Sequence, residues 1–140
     1  MAYKFEKLAV WGMAIDYADL CYALAEGLPK REEYNLRSQL IRAATSIALN
    51  IAEGSTSQTD AEQGKFLGYS IRSLTETVAC QHLIHRRKYL GNAEALRITY
   101  RASEALFAKL QAFRNSLLPR RDRVREDETE YDVDANTPFD

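Results

Sequence analysis

The sequence predicts an all-α protein, an antiparallel up-down four-helix bundle with long helices and a disordered C-terminal tail. Three observations predict it. Apolar residues recur at three- and four-residue steps in four successive segments, with almost no strand-like alternation. Gly27 with Pro29, Gly54, Gly91 with Asn92, and Pro119 punctuate the boundaries of those segments. The connections are short, which makes consecutive helices antiparallel neighbours. The 140 residues fit one domain of about 100–200 residues. Residues 1–118 are read as the bundle and 119–140 as the tail.

The first helix is expected from about Phe5 to Glu26, with Leu8, Trp11, Ile15, Ala18, Tyr22 and Ala25 on its core stripe. The second is expected from about Glu32 to Glu53. The third runs from about Asp60 to Leu90, with Thr59 as N-cap and Glu62 as its capping-box partner. Its stripe is Leu67, Ile71, Leu74, Val78 and Gln81, and its length predicts that one end projects. The fourth opens on Asn92 as N-cap and ends at Leu118, with Thr99, Ala102, Leu106, Leu110, Phe113 and Leu117 inward. Beyond it large apolar residues are few and periodicity is absent, so the last residues read as a solvated, disordered tail.

The second helix is the most informative. At 100° per residue, Leu36, Leu40, Ile47 and Ile51 form a core face, and Ile41, Ala44, Ala48 and Ala52 carry apolar surface round the far side. Leu49 lies on a third face. A helix apolar most of the way round is buried on more than one side. Four helices enclose one core, so the second face predicts contact with another subunit. Its coherent polar stripe is Gln39, Arg42, Ser46, Asn50 and Glu53. Buried polar groups take partners, so this stripe is expected to be a hydrogen-bond network that fixes helix register or subunit orientation rather than a ligand site.

The net charge of −1 gives no global attraction to nucleic acid or to an acidic membrane surface. Its distribution is uneven: 15 Lys/Arg against 12 Asp/Glu in the first 118 residues, 4 against 8 in the remainder. Arg86, Arg87 and Lys88 close the third helix, with Arg97 and Arg101 across the turn. Cations there complement the helix dipole. The alternative is a phosphate-contacting patch for RNA or DNA, which a tail of opposite sign can cover in cis.

Signals for catalysis are weak. His82 and His85 stand three apart on one helix face, but no third ligand has recognisable spacing and no Glu-x-x-His is present. Cys80 and His82 point to different faces. No nucleophile elbow, P-loop or dinucleotide fingerprint occurs. Gly64 and Gly68 suggest close helix approach. Cys21 and Cys80 read as buried free thiols of a reducing compartment. The N-terminus shows no apolar signal core and no segment approaches the ~20 apolar residues of a membrane span. These features predict a cytoplasmic protein with no catalytic residues, metal, cofactor, membrane contact or small-molecule substrate.

Residues Phe5 to Trp11 resemble an opening pattern F-x-x-L-x-V-W, and Leu36 to Gly54 resemble L-x-x-Q-x-x-R-A-x-x-S-I-x-x-N-I-A-E-G. Phe66 to Glu76 resemble F-L-x-x-A-x-G-S-L-x-E, with Ser70 and Arg72 where that pattern has Ala and Gly. These are patterns of the four-helix-bundle proteins first met as reading frames within 23S ribosomal RNA intervening sequences. The likeness covers about residues 3–118. It implies a cytosolic bundle that assembles as a ring-like homopentamer and has no known enzyme activity. Its motif residues here are Gln39, Arg42, Ser46, Asn50, Glu53 and Gly54. A related protein, the accessory protein of diversity-generating retroelements, binds a reverse transcriptase and nucleic acid through a strongly basic surface. This chain departs from it in its near-neutral charge. Two readings follow: a non-enzymatic scaffold that assembles with itself and whose further partner the sequence does not name, or an accessory RNA binder assisting a reverse transcriptase.

Overall fold

The computed structural model describes residues 3–125 and 136–140. Four helices, α1 (Ala9–Glu26), α2 (Leu36–Gly54), α3 (Asp60–Arg86) and α4 (Glu94–Leu117), alternate in direction, and no strand occurs among the described residues. Short 3-10 turns at Lys4–Lys7, Lys30–Glu32 and Arg120–Asp122 take up the rest of the regular structure. Helix α2 packs on α1 and α3, and α4 on α3 and α1, so α2 and α4 lie diagonally across the bundle. The α2/α3 interface is the most extensive.

The helix ends follow from local chemistry. Thr59 accepts the Glu62 N–H at 3.2 Å and caps α3 as expected, whereas the cap position of α4 falls to Ala93, with Asn92 one residue earlier accepting the Glu94 N–H at 3.0 Å. Phe5 sits in the separate 3-10 turn, because Leu8 is extended and breaks it from α1. Its ring packs edge-on against Trp11 at 4.6 Å. Helix α3 stops at Arg86, short of Leu90. The Lys88 N–H donates to His85 O and the Tyr89 N–H to Ile84 O, a Schellman ending with Lys88 at φ 55°. A left-handed lysine there, where glycine is usual, costs about 1 kcal/mol.

At 1.5 Å per residue α3 is about 40 Å long and α4 about 36 Å, against about 27 Å for α1. The extra length of α3 is matched by α4 rather than left projecting. Near one end Gly64 faces Leu118 and Gly68 faces Arg114, whose Nε donates to Gly64 O at 3.2 Å. The two glycines thus allow close approach of α4, as their spacing suggested.

The core stripe of α1 differs from expectation. Ala14, Tyr17, Ala18, Cys21, Leu24 and Ala25 are buried, whereas Ile15 and Tyr22 are exposed, and Leu8 and Trp11 are half-buried. Small residues let α1 approach its neighbours closely and push the larger side chains to the rim. The buried Tyr17 hydroxyl is 2.7 Å from Thr77 Oγ1 and accepts from Gln81 Nε2 at 2.8 Å. Burial pushes the Cys21 thiol up to about 12 and the Cys80 thiol to about 11, and both cysteines are free. On α3 Leu67, Leu74 and Gln81 are buried as expected, with Ile71 and Val78 half-buried. On α4 Thr99, Leu106 and Leu110 are buried, with Ala102, Phe113 and Leu117 half-buried.

Of the stretch read as tail, residues 126–135 lie outside the described residues. Its two ends are seated on α4. Val124 exchanges hydrogen bonds with the Asn115 side chain at 2.7 and 3.0 Å. Phe139 is only 2% exposed. Among the described residues no helix is long and apolar enough to cross a membrane.

Candidate functional site

Two surfaces carry the residues singled out from the sequence. The first is an open groove of about 520 Å³ along α2, walled by α3. Gln39, Arg42, Ser46, Asn50 and Glu53 line it, joined by Ile41, Thr45 and Leu49 from α2 and Ser73 and Glu76 from α3. The expected network forms in part. Asn50 Nδ2 donates to Ser46 Oγ at 3.0 Å and to Ser46 O at 2.9 Å, and Ser73 Oγ donates to Ser46 Oγ at 2.9 Å. Arg42 and Glu53 stay outside it: their side chains are exposed and make no hydrogen bond or ion pair among the described residues. Water solvates them at the rim, so burial gives them no reason to pair.

Helix α2 is less free than its apolar content suggested. Ala43, Ala44 and Ala48 are all buried within the single bundle, because α2 is clasped by both α1 and α3. The apolar surface left over is Leu49, 51% exposed, and half-buried Ile41. Tyr22 of α1 reaches the same edge and shares a hydrogen bond with Thr45 at 2.9 Å. Gly54, outside the groove lining, is buried where α2 meets α3: a Cβ there would stand 2.7 Å from Phe66 Cβ. Ser73 and Glu76 are fixed positions of the F-L-x-x-A-x-G-S-L-x-E pattern, and the α2/α3 packing is what sets them against the polar line of α2.

The second surface is the end of the bundle where α3 turns into α4. Arg86, Arg87 and Lys88 are exposed there, and Arg101 is exposed on α4. Arg97 is half-buried and already engaged. Its Nη2 donates to Glu94 at 3.0 Å, its Nη1 to Phe139 O at 3.3 Å, and its Nε lies 3.8 Å from Asp140 Oδ1. Phe139 is bordered by the rings of His82 and His85, each 5.1 Å away, and by Tyr100 at 5.6 Å in an edge-on contact. The two histidines therefore contact an aromatic side chain. Among the described residues no three His, Cys, Asp or Glu side chains are grouped to hold a metal.

No curated protein matches the chain. A family model does: that of the 23S rRNA-intervening sequence protein, over residues 6–110. That span takes in α1, α2, α3 and most of α4, and with them the motif from Gln39 to Gly54. With the helical bundle and the match over most of its length agreeing, the chain belongs to the 23S rRNA-intervening sequence protein family.

Proposed function

We propose that this protein is a non-enzymatic scaffold that assembles with itself through the α2 groove, as a cytoplasmic homopentamer. One observation carries the reading. Leu49 is 51% exposed on the same groove as the uncompensated charges of Arg42 and Glu53. An exposed leucine between a free cation and a free anion is the composition of an interface with an apolar centre and a charged rim. The Ser46–Asn50–Ser73 network fixes the polar floor of that groove, so the surface is preorganised. The number five comes from the family resemblance. A five-fold ring uses heterologous contacts, in which the groove meets a different surface of the next copy. Helix α4, diagonal to α2, exposes Phe107 and offers an apolar contact for such a surface. Sedimentation equilibrium tests this reading. The expected mass is five times the 16.0 kDa chain, falling to that of one chain in Leu49→Glu. A wild-type monomer across micromolar concentrations would sink it.

A second reading is RNA binding by Arg86, Arg87, Lys88, Arg97 and Arg101. Lys88 favours it: a cationic side chain occupies a left-handed position where glycine would be less strained. Lys88→Gly should then raise stability by about 1 kcal/mol while weakening RNA binding. Affinity for a single-stranded RNA should fall with salt, with a log–log slope of about −0.7 per contact. Stability gained with no change in RNA affinity would reduce Lys88 to a helix terminus.

A further inference from the structure

The last four residues form a self-closed turn. Pro138 occupies the second position, where its fixed φ favours a turn, and the Asp140 N–H donates to Thr137 O at 3.3 Å. The side chains close it again. Asp140 Oδ2 accepts the Thr137 N–H at 2.8 Å, Asp140 Oδ1 accepts the Thr137 hydroxyl at 2.9 Å, and Thr137 Oγ1 accepts the Phe139 N–H at 3.2 Å. These bonds lie within the turn and need nothing from the bundle. The turn therefore presents Phe139 with little ordering left to do on docking.

The surface that receives it is equally specific. The His82, His85 and Tyr100 rings form an aromatic slot for Phe139, and Arg97 reads the backbone carbonyl of Phe139 and the carboxylate of Asp140. Val124 holds the other end of the tail at Asn115, about 27 Å down α4 from Arg97. The chain from Val124 to Thr137 can reach ~43 Å when extended, so one subunit can fill its own slot without tension.

We propose that the α3/α4 slot is a peptide-binding site for a Thr-Pro-Phe-Asp turn, and that the chain's own residues 137–140 are its resident, exchangeable ligand in cis. Phe139 supplies the apolar anchor and Arg97 the polar discrimination. The covalent tether keeps the resident turn at an effective concentration of about millimolar, so a free peptide of ~100 µM affinity competes about tenfold less well against it. This inference does not depend on the assembly or on RNA binding.

The test uses the protein and a synthetic peptide of residues 134–140, acetylated and amidated at its ends. Calorimetric titration into Phe139→Ala, whose own terminus no longer fills the slot, should show one site. Wild type should bind the peptide at least tenfold more weakly. Adding Arg97→Ala to Phe139→Ala should weaken peptide binding, and a peptide with alanine at the phenylalanine position should not bind. The proposal is overturned if Phe139→Ala fails to bind while its circular dichroism is unchanged, or if wild type binds equally well. A fall in assembly mass in Phe139→Ala would place the terminus in a neighbour's slot and overturn occupancy in cis.

Discussion

The two grooves of this bundle meet the same difficulty in opposite ways. Where α3 meets α4, the leftover surface is covered by the chain itself: an aromatic plug, a carbonyl and a carboxylate answer three rings and one arginine. Along α2 a leucine, a cation and an anion stay uncovered. The contrast teaches where to look for a partner. A surface already covered by the chain takes a second ligand only by displacing the first, and the α2 groove is the surface that the proposed assembly would use.

The largest effect should come from forcing α2 and α3 apart beside the α2 groove. Gly54→Ala puts a methyl 2.7 Å from Phe66 Cβ, an atom close to the backbone that cannot swing aside. The gain in helix propensity, about 1 kcal/mol, is smaller than the strain. We expect a net loss of about 1–3 kcal/mol in chemical denaturation. Gly12→Ala, exposed on α1 with nothing within 4 Å of the added methyl, serves as the tolerant control. Equal stability of the two variants would show that α2 and α3 are not held at this distance in solution. A smaller loss, about 1 kcal/mol, is expected for Ser73→Ala, which removes the bond to Ser46 but leaves Asn50 on it. Unchanged stability would mean that water replaces the serine and that the groove floor is not preorganised.

The smallest effect lies at the other groove. Hydrogen bonds from Thr137, then the charges of Arg97 and Arg101, hold the Asp140 carboxyl below its ordinary value of 3.8. A depressed carboxylate stabilises the docked form at neutral pH, and that stabilisation is lost as pH falls through the lowered value. The Phe139 amide resonance should therefore begin to move toward its undocked position only below about pH 3.8. Other charges act nearby: Glu94 shares Arg97, and His82 and His85 border the ring. Asp140→Asn isolates the contribution of Asp140. A pH profile identical in that variant would show that Asp140 does not hold the turn.

Fold class, helix order and the cap at Thr59 were legible because each rests on local chemistry. The face of α1 was not. Val10, Ala14, Tyr17, Cys21 and Leu24 are as periodic as the expected stripe, of which Ala18 and Ala25 are buried, Leu8 and Trp11 half-buried, and Ile15 and Tyr22 exposed. The groove motif on α2 was legible as a polar line, but its wall of Ser73 and Glu76 depends on tertiary packing. The docked terminus was hidden for a different reason. A turn closed by its own side chains has no helical period, and one phenylalanine among acidic residues looks solvated until the slot is seen. Thr-Pro-x-Asp was the available signal, with proline at the second turn position.

The two buried thiols give the molecule a gauge of its own opening. With Cys21 near 12 and Cys80 near 11, almost none of either is thiolate at pH 8, and neither is exposed to a reagent. Alkylation must therefore wait for the helices to part, and its rate counts opening events. Cys21 lies on α1 and Cys80 on α3, so the two rates report separately on two helices of the bundle. Equal rates would mean that the bundle opens as one cooperative unit, and unequal rates would show which helix leaves first.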